Sequence, residues 1–210
     1  KFSKLVFLQG GPGTGKTTCV QGVIDLFKQL GSRVILTAPT GRAAKRLSEV
    51  TGSEAKTMHR LLEFNPRTRN FNKGWEDQLD ADVVILDEVS MVDTIMMNAL
   101  LRAIPDTARF IMVGDADQLP SVGAGNVLRD IISSHVVPPV HLTEIFRQAQ
   151  ESDIIMNAHR VNQGEMPDVS IRREGDFFFI SETDPAKGLE TIRGLCTQRL
   201  PQKYGFDAIE

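Results

Sequence analysis

Four short apolar runs set the pattern of this chain. LVFLQ ends at a glycine-rich loop, and RVILTA ends at Pro39-Thr40-Gly41-Arg42. DVVIL ends at Asp87-Glu88, and RFIMVG ends at Asp115-Ala116-Asp117-Gln118. The runs are rich in Val, Ile and Phe and do not alternate with polar residues, which predicts strands buried on both faces, as in a parallel sheet. Each gives way to polar, glycine-containing sequence. Ligands of open parallel sheets bind beyond the C-terminal strand ends, so the four strands would deliver polar groups into one crevice. The expected fold is α/β, a mostly parallel sheet flanked by helices.

Helical periodicity fills the gaps. Val20, Val23, Ile24, Phe27 and Leu30 recur at helical spacing, with Gly31 as a stop. Ala43 to Val50, Asp93 to Ala103 and Asn126 to Ser133 read as further helices, with Pro105 beyond the end of the second of these. Near the end, Asp184 and Pro185 look like an N-cap and first-turn proline. Leu189, Ile192, Leu195 and Cys196 follow as an apolar stripe that Pro201 is expected to end. Two stretches break the pattern. Glu63 to Trp75 (EFNPRTRNFNKGW) is polar, basic and turn-rich, and reads as a small hairpin excursion. NQGEMPDVSIRREGDFFFI opens with turn signals and ends in a strand-like run, which places the end of the main domain near Gln163.

Composition narrows the class. The 210 residues are 41% hydrophobic and 24% charged, ordinary for one sizeable core or one domain plus part of another. No run of about 18 apolar residues exists to span a membrane. The opening KFSKLVFLQG is basic then apolar, but it runs into the glycine loop instead of a small-residue cleavage site. The expectation is a cytoplasmic protein without membrane contact. Cys19 and Cys196 form no CxxC pair and are expected to be buried free thiols. His59, His135, His141 and His159 have no metal-ligand spacing. Net charge is −3, so a uniformly basic coat is absent. Even so, Lys56, Arg60, Arg67, Arg69 and Lys73 face only Glu63 between residues 56 and 73, and Arg42, Lys45 and Arg46 cluster upstream. Such segments fit a narrow contact with a polyanion, or a solvated charged face.

The chemistry begins at Gly10-x4-Gly15-Lys16-Thr17, the phosphate-loop spacing, placed after a strand and before a helix. Gly11, Pro12, Gly13, Thr14, Gly15, Lys16, Thr17 and Thr18 are the candidate nucleotide-binding residues. Glycines let backbone N–H groups point at phosphate oxygens, and the helix N-terminus adds partial positive charge. Lys16 would reach the β and γ phosphates. Thr17 and Asp87 are the candidate Mg²⁺ ligands for bound ATP. Glu88 beside Asp87 could polarise an attacking water, which favours hydrolysis over phosphoryl transfer. Gln118 could contact the γ-phosphate or that water. Arg147, in LTEIFRQ, could stabilise charge on the transferring group or sit in an ordinary ion pair.

Taken together these motifs resemble superfamily 1 DNA helicases of the RecD/TraA-like branch. GGPGTGKTT resembles motif I, and LTAPTGRAAKRL resembles motif Ia with KTMHRLL close behind. VVILDEVSMVD resembles motif II, FIMVGDADQLPSVGAGNVLRDI motif III, and VHLTEIFRQAQES the next, arginine-bearing motif. The resemblance implies a RecA-like P-loop NTPase. Residues 1–163 would be the first motor domain, 1A, with 63–75 as a small 1B hairpin that acts as a strand-separating pin. Residues 164–210 would be the truncated start of a second motor domain. It implies roles for Glu88 as catalytic base, for Lys16 and Thr17 at nucleotide and metal, and for Gln118 and Arg147 as γ-phosphate sensors. Pro39, Thr40, Gly41, Arg42, Thr57 and His59 would line the single-stranded DNA path. Movement would be 5′ to 3′, and the partners would be DNA junctions, a second motor domain and possible helicase–nuclease subunits. The competing readings are a nucleotide-dependent DNA-binding module without turnover of its own, and a kinase. Asp87-Glu88 and GDADQLP argue against the kinase.

Overall fold

The computed structural model describes residues 4–137, 139–146, 150–170, 175–205 and 207. Two compact units divide at Pro167/Asp168.

In the first unit, six parallel strands form one sheet in the order β3-β2-β6-β7-β1-β8. They are β1 (Leu5–Gly10), β2 (Val34–Ala38), β3 (Ala55–Thr57), β6 (Val83–Leu86), β7 (Arg109–Gly114) and β8 (Pro139–Leu142). The four apolar runs are the four central strands. Successive side chains of a strand point to opposite faces, and both faces are buried here. Phe7, Val84, Leu86, Phe110 and Met112 join one core cluster. Leu8, Leu36, Val83, Ile85, Ile111 and Val113 join the other.

Helices cover the two faces. α1 (Lys16–Gln29) and α2 (Gly41–Thr51) seal the second cluster through Val20, Ile24 and Leu47. α4 (Thr94–Ala103) and α5 (Val127–Ser134) seal the first through Met97, Leu100 and Leu128. Asp93 caps α4 by accepting from the Met96 N–H at 2.7 Å, and Asn126 caps α5 from the Arg129 N–H at 3.3 Å. β3, only three residues long and flanked by polar sequence, extends the sheet where periodicity gave no strand signal. A one-turn helix, α3 (Met58–Leu61), leads from it into the excursion. There β4 (Phe64–Asn65) and β5 (Asn70–Phe71) pair antiparallel. The hairpin ladder continues through Asn72 N–H to Glu63 C=O and Lys73 N–H to Leu62 C=O. α6 (Asp153–Asn162), capped by Ser152, follows the sheet.

The second unit contains α7 (Pro185–Gly194), capped by Asp184, whose carboxylate accepts from the Ala186 N–H. Three sequence expectations change. Pro201 does not end the helical run, because a π-type turn at Leu195–Arg199 precedes α8 (Leu200–Tyr204) and Pro201 sits in that helix's first turn. There its missing N–H costs little, and the stop is Gly205 at φ 72°. The run Phe177 to Ile180 forms no strand: no neighbouring edge among the described residues supplies ladder hydrogen bonds. Cys19 and Cys196 are free thiols but exposed, not buried. Cys19 lies one position off the buried Val20/Ile24 stripe of α1, and Cys196 lies in the widened turn.

Candidate functional site

The C-terminal ends of β1 and β6 and the start of α1 enclose a cavity of about 740 Å³. Its floor is the loop Gly11–Gly15 with Lys16, Thr17 and Thr18. Two glycines of the loop adopt left-handed geometry, Gly13 at φ 72° and Gly15 at φ 82°. Gly10 is confined as well: a Cβ there would stand 2.4 Å from Thr14 Oγ1 and 3.1 Å from Leu142. Thr14 closes the turn by donating to the Gly11 carbonyl at 2.9 Å. Lys16 Nζ folds back over the loop and donates to the carbonyls of Gly10 (2.6 Å) and Gly11 (2.9 Å). The first N–H groups of α1, which lacks a side-chain cap, open toward the cavity.

Asp87 and Glu88 come into the same cavity from the end of β6. Asp87 Oδ1 accepts from the Glu88 N–H at 2.9 Å, and Glu88 takes a left-handed backbone, φ 54°. Burial lifts the Asp87 carboxyl above its ordinary range, opposed by that N–H bond and by Lys16 and Arg46. Burial and then the Asp87 charge lift Glu88, again opposed by Lys16 and Arg46, with Asp115 adding to the rise. Gln118 also lines the cavity. Its turn is fixed by Asp115, which is 2% exposed and accepts from the Asp117 N–H at 3.1 Å. The Ser90 hydroxyl holds Gln118 Oε1 at 3.3 Å. Arg147 lies outside the described residues.

Several residues in and behind the cavity walls received no role from the sequence. α2 presents Ala43, Arg46 and Leu47. Phe146 donates its N–H to the Gly13 carbonyl at 3.1 Å, and its ring packs over Gly15. Ile155 of α6 closes that side. His159 Nε2 is 2.9 Å from the Pro12 carbonyl, bracing the loop from outside. Ala43, Arg46, Leu47 and Phe146 fall within the motif Ia-like and arginine-bearing segments, but only tertiary packing brings them to one cavity with Ile155.

The other candidate residues gather at a different part of the sheet's C-terminal rim. Ala38 and Thr57 are register partners in β2 and β3, so Pro39–Arg42 and Thr57–His59 leave the sheet side by side. Thr40 and Thr57 are helix caps, accepting from Ala43 N–H (3.2 Å) and Arg60 N–H (3.3 Å). His59 is exposed and packs edge-on to Phe64 (5.4 Å) and tilted to Phe71 (5.8 Å), joining this rim to the hairpin. Arg60, Arg67 and Arg69 have no acidic partner among the described residues, whereas Lys73 pairs with Asp77.

A match to the AAA domain family spans residues 2–182. The chain belongs to that family. Nucleotide binding follows from membership of this AAA domain family, and the cavity over Gly11–Thr18 is where its phosphate-loop motif lies. Among curated relatives, the ATP-dependent RecD2 DNA helicase of Deinococcus radiodurans is 46% identical over 164 residues, covering 78% of this chain and 22% of the relative. The RecBCD enzyme subunit RecD of Mycobacterium tuberculosis is 34% identical over 213 residues, covering 88% and 37%. The chain thus spans well under half the length of either. A solved structure describing unwinding at forked duplex DNA by two coordinating Pif1 helicases aligns with TM-score 0.55 at 27% identity, over 79% of this chain and 46% of that one. The RecD-like resemblance and the RecA-like α/β fold of this AAA domain are both borne out by these relatives. No helix of the described residues is long and apolar enough to cross a membrane.

Proposed function

We propose that this chain is the nucleotide-handling part of an ATP-dependent DNA helicase. It binds ATP with Mg²⁺ in the cavity above the phosphate loop and single-stranded DNA along the rim of β2 and β3. In the whole protein, hydrolysis drives 5′ to 3′ movement. The observation that carries the reading is the convergence, in one cavity, of Lys16 and Thr17 from the loop with Asp87, Glu88 and Gln118 from the ends of two other strands.

Each residue takes a role in this reading. Backbone N–H groups of Gly13 to Thr17 and the Lys16 ammonium hold the triphosphate. Thr17 and Asp87 supply one hydroxyl and one carboxylate, a donor set that suits Mg²⁺ shared with phosphate oxygens and water. No cluster of three His, Cys, Asp or Glu among the described residues offers an all-protein cage instead. The ion, when bound, supplies charge neutralisation at the phosphates. Glu88, which lines the cavity beside Asp87, takes the proton of the attacking water. Gln118, held by Ser90, reports on the terminal phosphate, and Arg147 is assigned the role of second sensor. Pro39, Thr40, Gly41, Arg42, Thr57 and His59 follow the DNA backbone, with the His59–Phe64–Phe71 cluster as a stacking surface. Residues 63–75 serve as the 1B pin, residues 1–163 as the first motor domain, and residues 164–210 as the start of a second. Partners in a helicase–nuclease assembly are the corresponding proposal, supported by the RecD likeness.

Glu88→Gln tests the chemistry. In the longer protein it should abolish DNA-stimulated ATP hydrolysis, a loss of about a hundred-fold or more, while ATP binding persists. Retained turnover would remove Glu88 as the base. Strong DNA-stimulated turnover by these 210 residues alone would overturn the need for a second motor domain.

A further inference from the structure

α2 divides its basic residues between two surfaces. Ala43, Arg46 and Leu47 are spaced three and four apart, share one helix face, and line the nucleotide cavity. Lys45 points elsewhere, exposed and paired with Glu49 at 3.8 Å. Arg46 has neither a hydrogen bond nor an ion pair among the described residues. Its charge instead acts on Asp87 and Glu88 across the cavity. Lys16, the other cation there, already donates to two loop carbonyls.

We propose that Arg46 is a second cation of the nucleotide site, contacting the terminal phosphate of the bound triphosphate. The inference rests on the function proposed above and moves Arg46 from the DNA-facing basic segment to the phosphate chemistry. A phosphate lying near Asp87 and Glu88 meets two carboxylates, and a guanidinium on the adjoining wall offsets their repulsion. Its planar fork can bond two phosphate oxygens at once. A diphosphate lacks the group that Arg46 would hold, so Arg46 would distinguish the two nucleotides.

The test compares affinity for a non-hydrolysable ATP analogue and for ADP, by calorimetry with Mg²⁺ and without DNA. Arg46→Ala should weaken the triphosphate roughly ten-fold or more and ADP by no more than about two-fold. Arg46→Gln should repeat this loss, and Arg46→Lys should fall between. Lys45→Ala, which removes the same charge from the outward face, should leave both affinities within about two-fold. Thermal melts check folding, which should not change because Arg46 is exposed and unbonded. Equal losses for both nucleotides, or no loss, would overturn the proposal. So would a loss of single-stranded DNA affinity with triphosphate binding intact. Failure of the unaltered chain to bind either nucleotide would instead sink the nucleotide-site reading itself.

Discussion

Gly15→Ala tests the loop geometry without any nucleotide. Gly15 stands at φ 82°, where an L side chain costs about 1–2 kcal/mol. A Cβ there would also lie 2.0 Å from Cε2 of Phe146, so the ring must leave. Phe146 is 58% exposed, and forfeiting its partial burial costs about 1 kcal/mol. The substitution should therefore destabilise the chain by about 2–3 kcal/mol, a fall in Tm of roughly 4–12 °C for a unit of this size. Urea and thermal unfolding of Gly15→Ala, Phe146→Ala and the double variant give the measurement. In the Phe146→Ala background only the backbone cost remains, so the singles should overshoot the double by about 1 kcal/mol. Strict additivity would show that the ring does not pack on Gly15. A cost below about 0.5 kcal/mol for Gly15→Ala would show that the loop does not hold the left-handed backbone.

Two further outcomes follow from caps and charges. Thr40→Ala should cost about 1 kcal/mol in urea unfolding through loss of the α2 cap, and Thr40→Ser should keep the cap. Equal losses from both would refute the capping geometry. Asp82 accepts from the Arg33 backbone N–H at 2.7 Å, and that bond, then the Arg33 side chain, holds its carboxyl below the ordinary range. Its stabilising effect is present above the ordinary carboxylate range and is lost as pH falls through the depressed range. Asp82→Asn should therefore lower Tm at neutral pH, with the difference closing on acidification. A gap that persists at the lowest pH would assign the loss to something other than charge.

Legibility followed local density of signal. DVVIL and RFIMVG announced central strands because each is apolar on both faces, and the structure uses both faces. β3 was silent because three residues flanked by polar sequence carry no period. The DFFFI run carried a strand signal, but strands also need an edge to pair with, which composition does not report. At the site, the phosphate-loop spacing and the Asp87-Glu88 pair were readable because each sits within one segment. Arg46, Phe146, Ile155 and His159 were not, because their positions depend on how separate elements pack. Charge alone grouped Arg46 with Lys45, its neighbour in sequence, and helix phase separates the two.

The strand order carries a mechanical consequence. β1, which leads into the nucleotide loop, and β2, which leads into Pro39–Arg42, are separated by β7 and β6. Three strand spacings, about 14 Å, lie between them. A hydrogen-bonded sheet is stiff in its own plane, so that interval behaves as a fixed ruler. Any stride along a polymer therefore has to be generated at a joint outside the sheet. In the motor proposed above, a change at the phosphates would move the sheet as one plate.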